Sequence, residues 1–377
     1  MKQMKLAVLF ASICCIAFVG CGKAENGNEQ DVVPTETVET EAPEEVIPTE
    51  EPEEPETETE AAAANDRNPL TGEPMDEAIA SQRPVTCMIG NTTDAMPQYG
   101  TSYADVMIEA PAEGGLTRLM GVFQDYANLP NIMSVRSCRH YYAYLSNEFE
   151  AIYVHYGQAI YATEMLKSLD DLNGLDGDLE NVVFFRDNSR KAPHNAYING
   201  ESIIAGIEKR GYRTQHGDTY QNRYRFVDAD RELENGETAM VVEPGYSVNK
   251  PWFVYNESTG LYDRYQYRAA HVDGGNNEQL SYKNVIFQVC DYKVEPDGKY
   301  LDVKTASYGG TGKYITNGKA MDITWVKEVE DGVGRYYDAD GNELELNPGK
   351  TFVCIVLNDE ADRMGVYASE ADFEASR

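Results

Sequence analysis

The sequence predicts an α+β protein, with an N-terminal α/β layered domain containing a mixed sheet, followed by a mainly β C-terminal domain. Between residues 67 and 215, short runs rich in Val, Ile, Phe and Tyr alternate with helical patterns. After about residue 215, strand-like runs follow one another with turn residues between them. Once an N-terminal leader and linker are set aside, about 310 residues remain, which is enough for two domains with their own cores.

The N-terminal domain, residues 67–215, is predicted to contain five strands and three helices. The strands are expected at 85–89, 105–109, 119–123, 152–155 and 182–185. Helices are expected at 137–149, 159–169 and 199–210. The last helix has the clearest bounds, because Asn199 is a suitable N-cap and Gly211 a suitable stop.

A connecting segment, residues 216–238, leads to the C-terminal domain, residues 239–377. Strand-like runs there lie at 239–243, 252–255, 261–267, 285–290, 300–304, 320–327 and 352–357. The polar residues 256–260 predict a hairpin between two of these runs. Residues 338–342, which read Asp-Ala-Asp-Gly-Asn, predict another turn.

Residues 1–20 are typical of a secretory signal peptide. Lys2 and Lys5 precede an apolar run of 14 residues, which is shorter than the roughly 20 residues that a membrane-spanning helix needs. The run ends at a Gly-Cys pair that resembles the bacterial lipobox, although Phe18 stands where that pattern prefers Leu. An ordinary signal peptide with an incidental cysteine is the alternative. We expect Cys21 to carry palmitate-type acyl chains that hold the protein at the extracytoplasmic face of the cell membrane.

Residues 21–66 are predicted to be a lipidated cysteine followed by a disordered tether. Residues 22–66 are rich in Thr, Glu and Pro and contain 16 acidic residues against one basic residue, Lys23. So little apolar surface cannot offset the entropy of ordering, and like charges keep the chain extended. The segment is therefore expected to be a spacer between the anchor and the folded part.

The charge balance of the chain argues against a nucleic-acid partner. The sequence has 64 acidic and 32 basic residues and a formal net charge of -32. Binding to the phosphate backbone needs clustered Lys and Arg, and no basic run occurs anywhere in the sequence. We therefore expect no nucleic-acid partner.

The sequence also predicts neither a metal site nor a cofactor. The folded part contains four widely spaced cysteines and no C-x-x-C, H-x-H or H-E-x-x-H motif. Most of these cysteines lie in apolar runs, which favours inert buried thiols. A single disulfide between two of them is the alternative. The four residues are Cys87, Cys138, Cys290 and Cys354.

Charged and polar residues occur where the predicted strands of the N-terminal domain end. Because one edge of a sheet collects such residues, we expect them to line a cleft with Glu113 close by. Structural ion pairs among the same side chains are the alternative. The predicted binding residues are Arg118, Arg136, Arg139, His155, Arg186, His194 and Asn195, and the candidate catalytic residues are Glu109, Glu113, His155 and His194.

An ordered series of short motifs resembles the YerB lipoprotein family of Gram-positive bacteria, which is defined by a domain of unknown function, DUF3048. The resemblance covers nearly all of residues 68–360 and implies an exported lipoprotein with an N-terminal and a C-terminal domain. It implies no activity, because none is established for the family. The motifs are Asn68-Pro69-Leu70-Thr71-Gly72, Glu113-Gly114-Gly115-Leu116-Thr117-Arg118, Val135-Arg136-Ser137, Val154-His155, Phe185-Arg186-Asp187, Ala192-Pro193-His194-Asn195, Tyr262-Asp263-Arg264, His271-Val272-Asp273 and Asp322-Ile323-Thr324-Trp325.

Two classes of function fit these residues. The first is a binding or scaffolding module of the cell envelope, because arginines offer forked donors to anions and 26 tyrosines offer surfaces on which sugars or peptides stack. Its partner would be an anionic or glycan cell-wall polymer, or an envelope protein. The second is an envelope hydrolase, of glycosidase or esterase type, with its site in the N-terminal domain. Cys138 and His140 stand where relatives are expected to have other residue types, which weakens a Cys-His nucleophile.

Overall fold

The computed structural model describes residues 67–306 and 308–377, which belong to a single compact unit. The predicted signal peptide, the lipidated Cys21 and the acidic tether lie outside the described residues.

Twenty-four strands and five α-helices make up the described structure. The helices are α1 (Glu77–Ala80), α2 (His140–Asn147), α3 (Thr163–Leu166), α4 (Gly200–Arg210) and α5 (Glu370–Ala375). The strands are β1 (Val85–Gly90), β2 (Val106–Pro111), β3 (Thr117–Phe123), β4 (Ile132–Met133), β5 (Ile152–His155), β6 (Asp171–Asn173), β7 (Phe185–Arg186), β8 (Ala196–Ile198), β9 (Arg225–Phe226), β10 (Glu237–Thr238), β11 (Val241–Glu243), β12 (Trp252–Asn256), β13 (Leu261–Gln266), β14 (Ala269–Ala270), β15 (Ser281–Tyr282), β16 (Asn284–Cys290), β17 (Tyr292–Val294), β18 (Leu301–Val303), β19 (Gly309–Thr316), β20 (Lys319–Val326), β21 (Arg335–Tyr337), β22 (Glu345–Leu346), β23 (Thr351–Leu357) and β24 (Gly365–Tyr367).

A mixed central sheet of 11 strands runs through the structure in the order β10-β20-β19-β16-β23-β2-β3-β1-β5-β6, with β21 paired to β20. β2 and β16 pair in parallel with β23, and β1 and β6 pair in parallel with β5. β3 is antiparallel to both β1 and β2. β1, β2, β5, β6, β16 and β23 therefore all run in one direction. We call the side of the sheet where these six strands end, together with the loops that leave it, the carboxyl edge.

Both faces of the central sheet are buried along β1, β2 and β23. Along β2, Met107 belongs to one hydrophobic core, whereas its neighbours Val106 and Ile108 belong to the other. Ile203 of α4 packs into the first core, and Tyr142 of α2 packs into the second. Strands with two buried faces are apolar almost throughout, which explains why these segments are visible in the sequence as continuous apolar runs.

A second sheet, in the order β14-β13-β12-β11-β24 with β15 paired to β13, packs against the first core. Its β12–β13 hairpin turns at residues 256–260, where the sequence predicts it. The Gly260 amide donates to the Asn256 carbonyl at 2.8 Å, and Gly260 takes a φ of 70°, which glycine adopts without strain.

The predicted fold class is confirmed, as are the bounds of α4. Asn199 caps this helix by accepting from the Ser202 amide, and Gly211 ends it in a left-handed conformation. The predicted strand at 182–185 is wrong, because residues 182–183 form a turn, Phe184 makes an isolated bridge with Glu180, and only Phe185 lies in a strand. The helix predicted at 159–169 is a 3-10 turn followed by the short α3.

The division of the chain at residues 216–238 stays a prediction. Strands from both parts enter the central sheet, and β2 of the first part pairs directly with β23 of the second. The four cysteines of the folded part are all free and buried.

Candidate functional site

Five of the residues predicted to form a site meet at the carboxyl edge. Glu113 lies in the 3-10 turn after β2, and Arg118 is the second residue of β3. Arg136 and Arg139 lie on the segment between β4 and α2, and His194 lies just before β8. We call this group, Glu113, Arg118, Arg136, Arg139 and His194, the arginine site.

The backbone of residue 136 holds the centre of this site in place. The Arg136 amide donates to the Met88 carbonyl of β1, and the Arg136 carbonyl accepts from the Tyr156 amide, both at 2.9 Å. The segment therefore lies between the ends of two parallel strands and carries its arginine side chains to the carboxyl edge.

Arg139 is the only arginine of the site that forms a salt bridge within the described residues. Its Nε and Nη2 donate to the two carboxylate oxygens of Glu113 at 2.5 and 2.7 Å. Arg118 donates from Nη1 to the Ser137 carbonyl at 2.8 Å, and the Arg136 Nη1 lies 3.0 Å from the His194 Nδ1. Within the described residues, Glu113 is thus the one carboxylate that forms a salt bridge with these three arginines.

The ionisation of these groups reflects this excess of positive charge. Burial, with repulsion from Arg139 and Arg136, lowers the pKa of Arg118 to about 10. Burial and repulsion from Arg139 likewise lower the pKa of Arg136, and burial with repulsion from Arg136 lowers the pKa of His194. Burial acts to raise the pKa of Glu113, but its bonds to Arg139 outweigh this effect and hold the pKa below its usual value.

Arg186 and Asn195 form a separate pair at the same edge. The Arg186 Nη1 donates to the Asn195 Oδ1 at 2.8 Å, and its guanidinium lies 4.4 Å from the ring centroid of Tyr156. Because residue 195 directly follows His194, this pair adjoins the arginine site.

His155 lies at the end of β5, but its ring is fully buried and both of its nitrogens are in use. Nδ1 lies 2.9 Å from the Gly157 carbonyl, and Nε2 lies 3.0 Å from the Asp171 Oδ2. These contacts hold the loop after β5 against β6. They leave neither nitrogen free to meet a ligand in this arrangement.

Glu109 belongs to a different environment, a fully buried polar network between the two sheets. Its Oε2 accepts from the Arg264 Nη2 at 2.6 Å, and its Oε1 accepts from Asn91, Thr117 and Asn249 at 2.6–2.9 Å. Arg264 and Glu109 are both 0% exposed. Four hydrogen bonds from protein groups make Glu109 a structural carboxylate rather than an acid or base open to substrate.

The rest of this network was not predicted from the sequence. It consists of Arg264, which binds Glu109 directly, and of His271 and Gln98, which lie behind Arg264. The His271 ring contacts Arg264 through Nδ1 and Gln98 through Nε2, and burial and Arg264 hold the pKa of His271 well below its usual value. No local sequence signal reveals this network, since Glu109 and Arg264 lie 155 residues apart.

Neither Ser137 nor Cys138 is arranged as the activated nucleophile that a hydrolase of acyl-transfer type needs. The Ser137 hydroxyl donates to the Tyr156 carbonyl at 2.9 Å instead of to a histidine. Cys138 is fully buried, and burial raises the pKa of its thiol to about 12. A thiol in such an environment is inert.

One cluster has a spacing compatible with a cation. Ligand atoms of His140, Glu295 and Asp302 lie within 4.8 Å of one another. Asp302 already accepts from Lys304 at 2.5 Å and forms a salt bridge with Lys293 at 3.1 Å, so two ammonium groups compete with a metal for its oxygens. The arrangement is therefore better suited to an ion-pair network.

The tyrosines that the sequence predicts as a stacking surface are divided between the core and the surface. Tyr141, Tyr142, Tyr153 and Tyr262 are all 0% exposed, and Tyr246 is buried. Tyr156 is partly exposed and lies against the Arg186 guanidinium, so at this edge a tyrosine stands beside an arginine.

The fold and this site define a two-part protein of the DUF3048 class. The first part matches the family described as protein of unknown function (DUF3048) N-terminal domain over residues 70–213. The second matches the DUF3048 C-terminal domain over residues 241–353. The chain belongs to this family.

Comparison with individual proteins gives the same result. The chain is 32% identical over 295 residues to "Putative lipoprotein YerB" of Bacillus subtilis (strain 168), covering 76% of this chain and 85% of that protein. It is also similar to the crystal structure of the YerB protein from Bacillus subtilis, with a TM-score of 0.70 and 29% identity over 80% of this chain and 99% of that one. The predicted resemblance to the YerB family is confirmed. Across residues 67–306 and 308–377, no helix is both long and apolar enough to cross a membrane.

Proposed function

We propose that this protein is a binding module of the cell envelope that takes an anionic group of its ligand at the arginine site. The observation that carries the proposal is that Arg118 and Arg136 form no salt bridge within the described residues, although they lie close to Arg139 and His194. This arrangement is unusual in a chain of net charge -32, where carboxylates are abundant.

The electrostatics of the site favour an anion as the missing partner. Cations held together at low exposure repel one another, and the free energy of that repulsion is recovered when a negative group enters. Guanidinium groups bind carboxylate and phosphate oxygens through paired hydrogen bonds, which gives orientation as well as attraction. A carboxylate- or phosphate-bearing ligand is therefore better supported than an uncharged glycan.

The cellular setting of the proposal rests on the sequence and on the relative. A lipid-anchored YerB-type protein would hold this site outside the membrane, with Cys21 as the anchor and the acidic segment as a spacer. Anionic cell-wall polymers and envelope proteins are the partners within reach of such a site. The hydrolase alternative has no specific observation in its favour, because Glu109 and His155 are engaged in internal contacts.

The test is to measure binding of a soluble probe, poly(glycerol phosphate), by titration calorimetry. Replacing Arg136 with Ala removes one forked donor and is expected to weaken binding about tenfold, which corresponds to about 1.4 kcal/mol. Arg136→Lys keeps the positive charge but lacks the paired guanidinium donors, so its affinity for the probe should lie between those of the parent and of Arg136→Ala.

Arg231→Ala is the matched control, because Arg231 is an exposed arginine that pairs with Glu345 at 3.7 Å on another part of the surface. It should bind the probe as the parent does. Equal affinities for the Arg136 and Arg231 variants, or no measurable binding by the parent, would contradict the proposal.

A further inference from the structure

Large apolar side chains are exposed around the arginine site. Leu116 is 37% exposed, Ile160 is 74% exposed and Leu175 is 64% exposed. Each lies in a loop at the carboxyl edge: Leu116 after β2, Ile160 after β5 and Leu175 after β6. Exposed apolar residues scattered singly need no explanation, but several around one charged site indicate an interaction surface.

The position of Gly157 places Leu175 near the residue that binds Arg118. A Cβ built on Gly157 would lie 3.2 Å from the Leu175 Cδ1 and 3.4 Å from the Ser137 Oγ. Leu175 and Ser137 thus flank one glycine, and the Ser137 carbonyl is the group that binds Arg118.

The other two side chains are tied to the site by the backbone. Leu116 precedes Arg118 by two residues. Next to Ile160, the Ala159 amide donates to the Cys138 carbonyl at 3.0 Å, and that carbonyl also accepts from the Arg139 Nη1 at 2.9 Å.

The same edge carries further positive charge. Arg190 reaches the loop after β1, where its guanidinium donates to the Ala95 and Pro97 carbonyls at 3.1 and 2.6 Å. Lys191 beside it is exposed, and Arg186, the last residue of β7, lies just before this loop. Carboxylates lie on the same loops, among them Asp94, Asp176 and Asp187, so the local excess of cations is that of the arginine site itself, beside the aliphatic side chains.

We propose that the carboxyl edge docks on the membrane surface, with anionic lipid phosphates at the arginine site and Leu116, Ile160 and Leu175 among the lipid chains at the interface. This inference rests on the proposed anion site and names its ligand as the headgroup of an anionic lipid. A soluble wall polymer would use the cations but would leave the aliphatic side chains without a partner. An anionic bilayer uses both, since it offers phosphates beside apolar chains.

The charge of the molecule also selects this orientation. A strongly acidic protein is repelled by an anionic membrane on most of its surface, and attraction is available at the arginine site, where Arg118 and Arg136 form no salt bridge within the described residues. Charge complementarity and exposed aliphatic side chains thus point to the same contact.

The experiment uses the full chain with Cys21→Ser, so that no acyl anchor can form, and measures co-sedimentation with vesicles. Vesicles of phosphatidylcholine with phosphatidylglycerol should bind this chain at low salt, whereas vesicles of phosphatidylcholine alone should not. Adding Ile160→Gln or Leu175→Gln should reduce vesicle binding several-fold, while leaving the affinity for poly(glycerol phosphate) unchanged. Adding Val329→Gln is the matched control, because Val329 is 61% exposed in the loop between β20 and β21, and binding should not change.

Each outcome decides between the two proposals. Binding of poly(glycerol phosphate) without binding to either kind of vesicle would overturn the membrane contact and leave the anion site standing. The membrane contact would also be overturned if Ile160→Gln bound vesicles with the same affinity as its parent, provided that its melting temperature shows the variant to be folded. If the chain binds neither probe, both the membrane contact and the proposed function fall.

Discussion

Arg136 and Arg139 are identical residues three positions apart, yet their surroundings give them different tasks. Arg139 is 6% exposed and satisfies the partly buried carboxylate of Glu113 through two hydrogen bonds. Within the described residues, Arg136 has only the His194 ring as a side-chain partner, and the neighbouring arginine repels it. We therefore expect Arg139 to contribute to stability and propose Arg136 as the arginine that receives the ligand.

Stability measurements on the two single variants test this difference. Arg139→Ala leaves Glu113 without its partner and is expected to lower the free energy of unfolding by about 2 kcal/mol. Arg136→Ala removes a repelled cation and should change it by less than about 0.5 kcal/mol. Urea denaturation gives both values. If the two variants lose the same stability, Arg136 is as structural as Arg139.

At the scale of elements, parallel strands explain why part of the site could be predicted. Residues that follow β1, β2 and β5 must emerge at one edge, so sequence order alone brings Glu113 there. Arg136 follows β4 and reaches the same edge through backbone bonds to Met88 and Tyr156, which no local signal reveals. His155 is engaged by Asp171 on β6, and Glu109 is engaged by Arg264 on β13. Neither pairing is marked by a local sequence pattern, because the partners come from other strands. β19 was missed because its first four residues include three glycines, which weaken a strand pattern.

The Glu109–Arg264 pair links β2 of the central sheet with β13 of the second sheet. Glu109→Gln keeps the size of the side chain but leaves the Arg264 charge buried without a carboxylate. We expect a loss of about 3–5 kcal/mol in the free energy of unfolding. The matched control is Glu164→Gln, since Glu164 is 84% exposed and pairs only with Lys167, and it should cost less than about 0.5 kcal/mol. Chemical denaturation compares the two, and a loss no greater than that of the control would refute the structural role of this pair.

The whole molecule combines a strongly acidic chain with an arginine site at the carboxyl edge and with the lipid anchor that we propose at Cys21. The anchor and spacer are inferred from residues 1–66 and the relative, and the edge from the described structure. An anchor made of acyl chains resists salt, whereas contact between arginines and headgroups is screened by it. The two modes of membrane attachment are therefore separable in one experiment.

Cell fractionation of Cys21→Ser tests the anchor. The variant cannot be acylated and should appear in the soluble fraction after a high-salt wash, while the parent stays with the membranes. Cys14→Ser, which changes a cysteine inside the apolar leader, is the control and should behave as the parent does. Retention of Cys21→Ser in salt-washed membranes would show that the protein is held there by something other than this lipid.

The most direct test of the central claim, that the arginine site receives an anion, is to observe the arginine side chains themselves. In a titration with poly(glycerol phosphate), NMR signals of the Nε–Hε groups report on each guanidinium. We expect saturable shifts for Arg118, Arg136 and Arg139 and none for Arg231. Unchanged signals from the three arginines at high probe concentration, or equal shifts of all arginines in the chain, would contradict it.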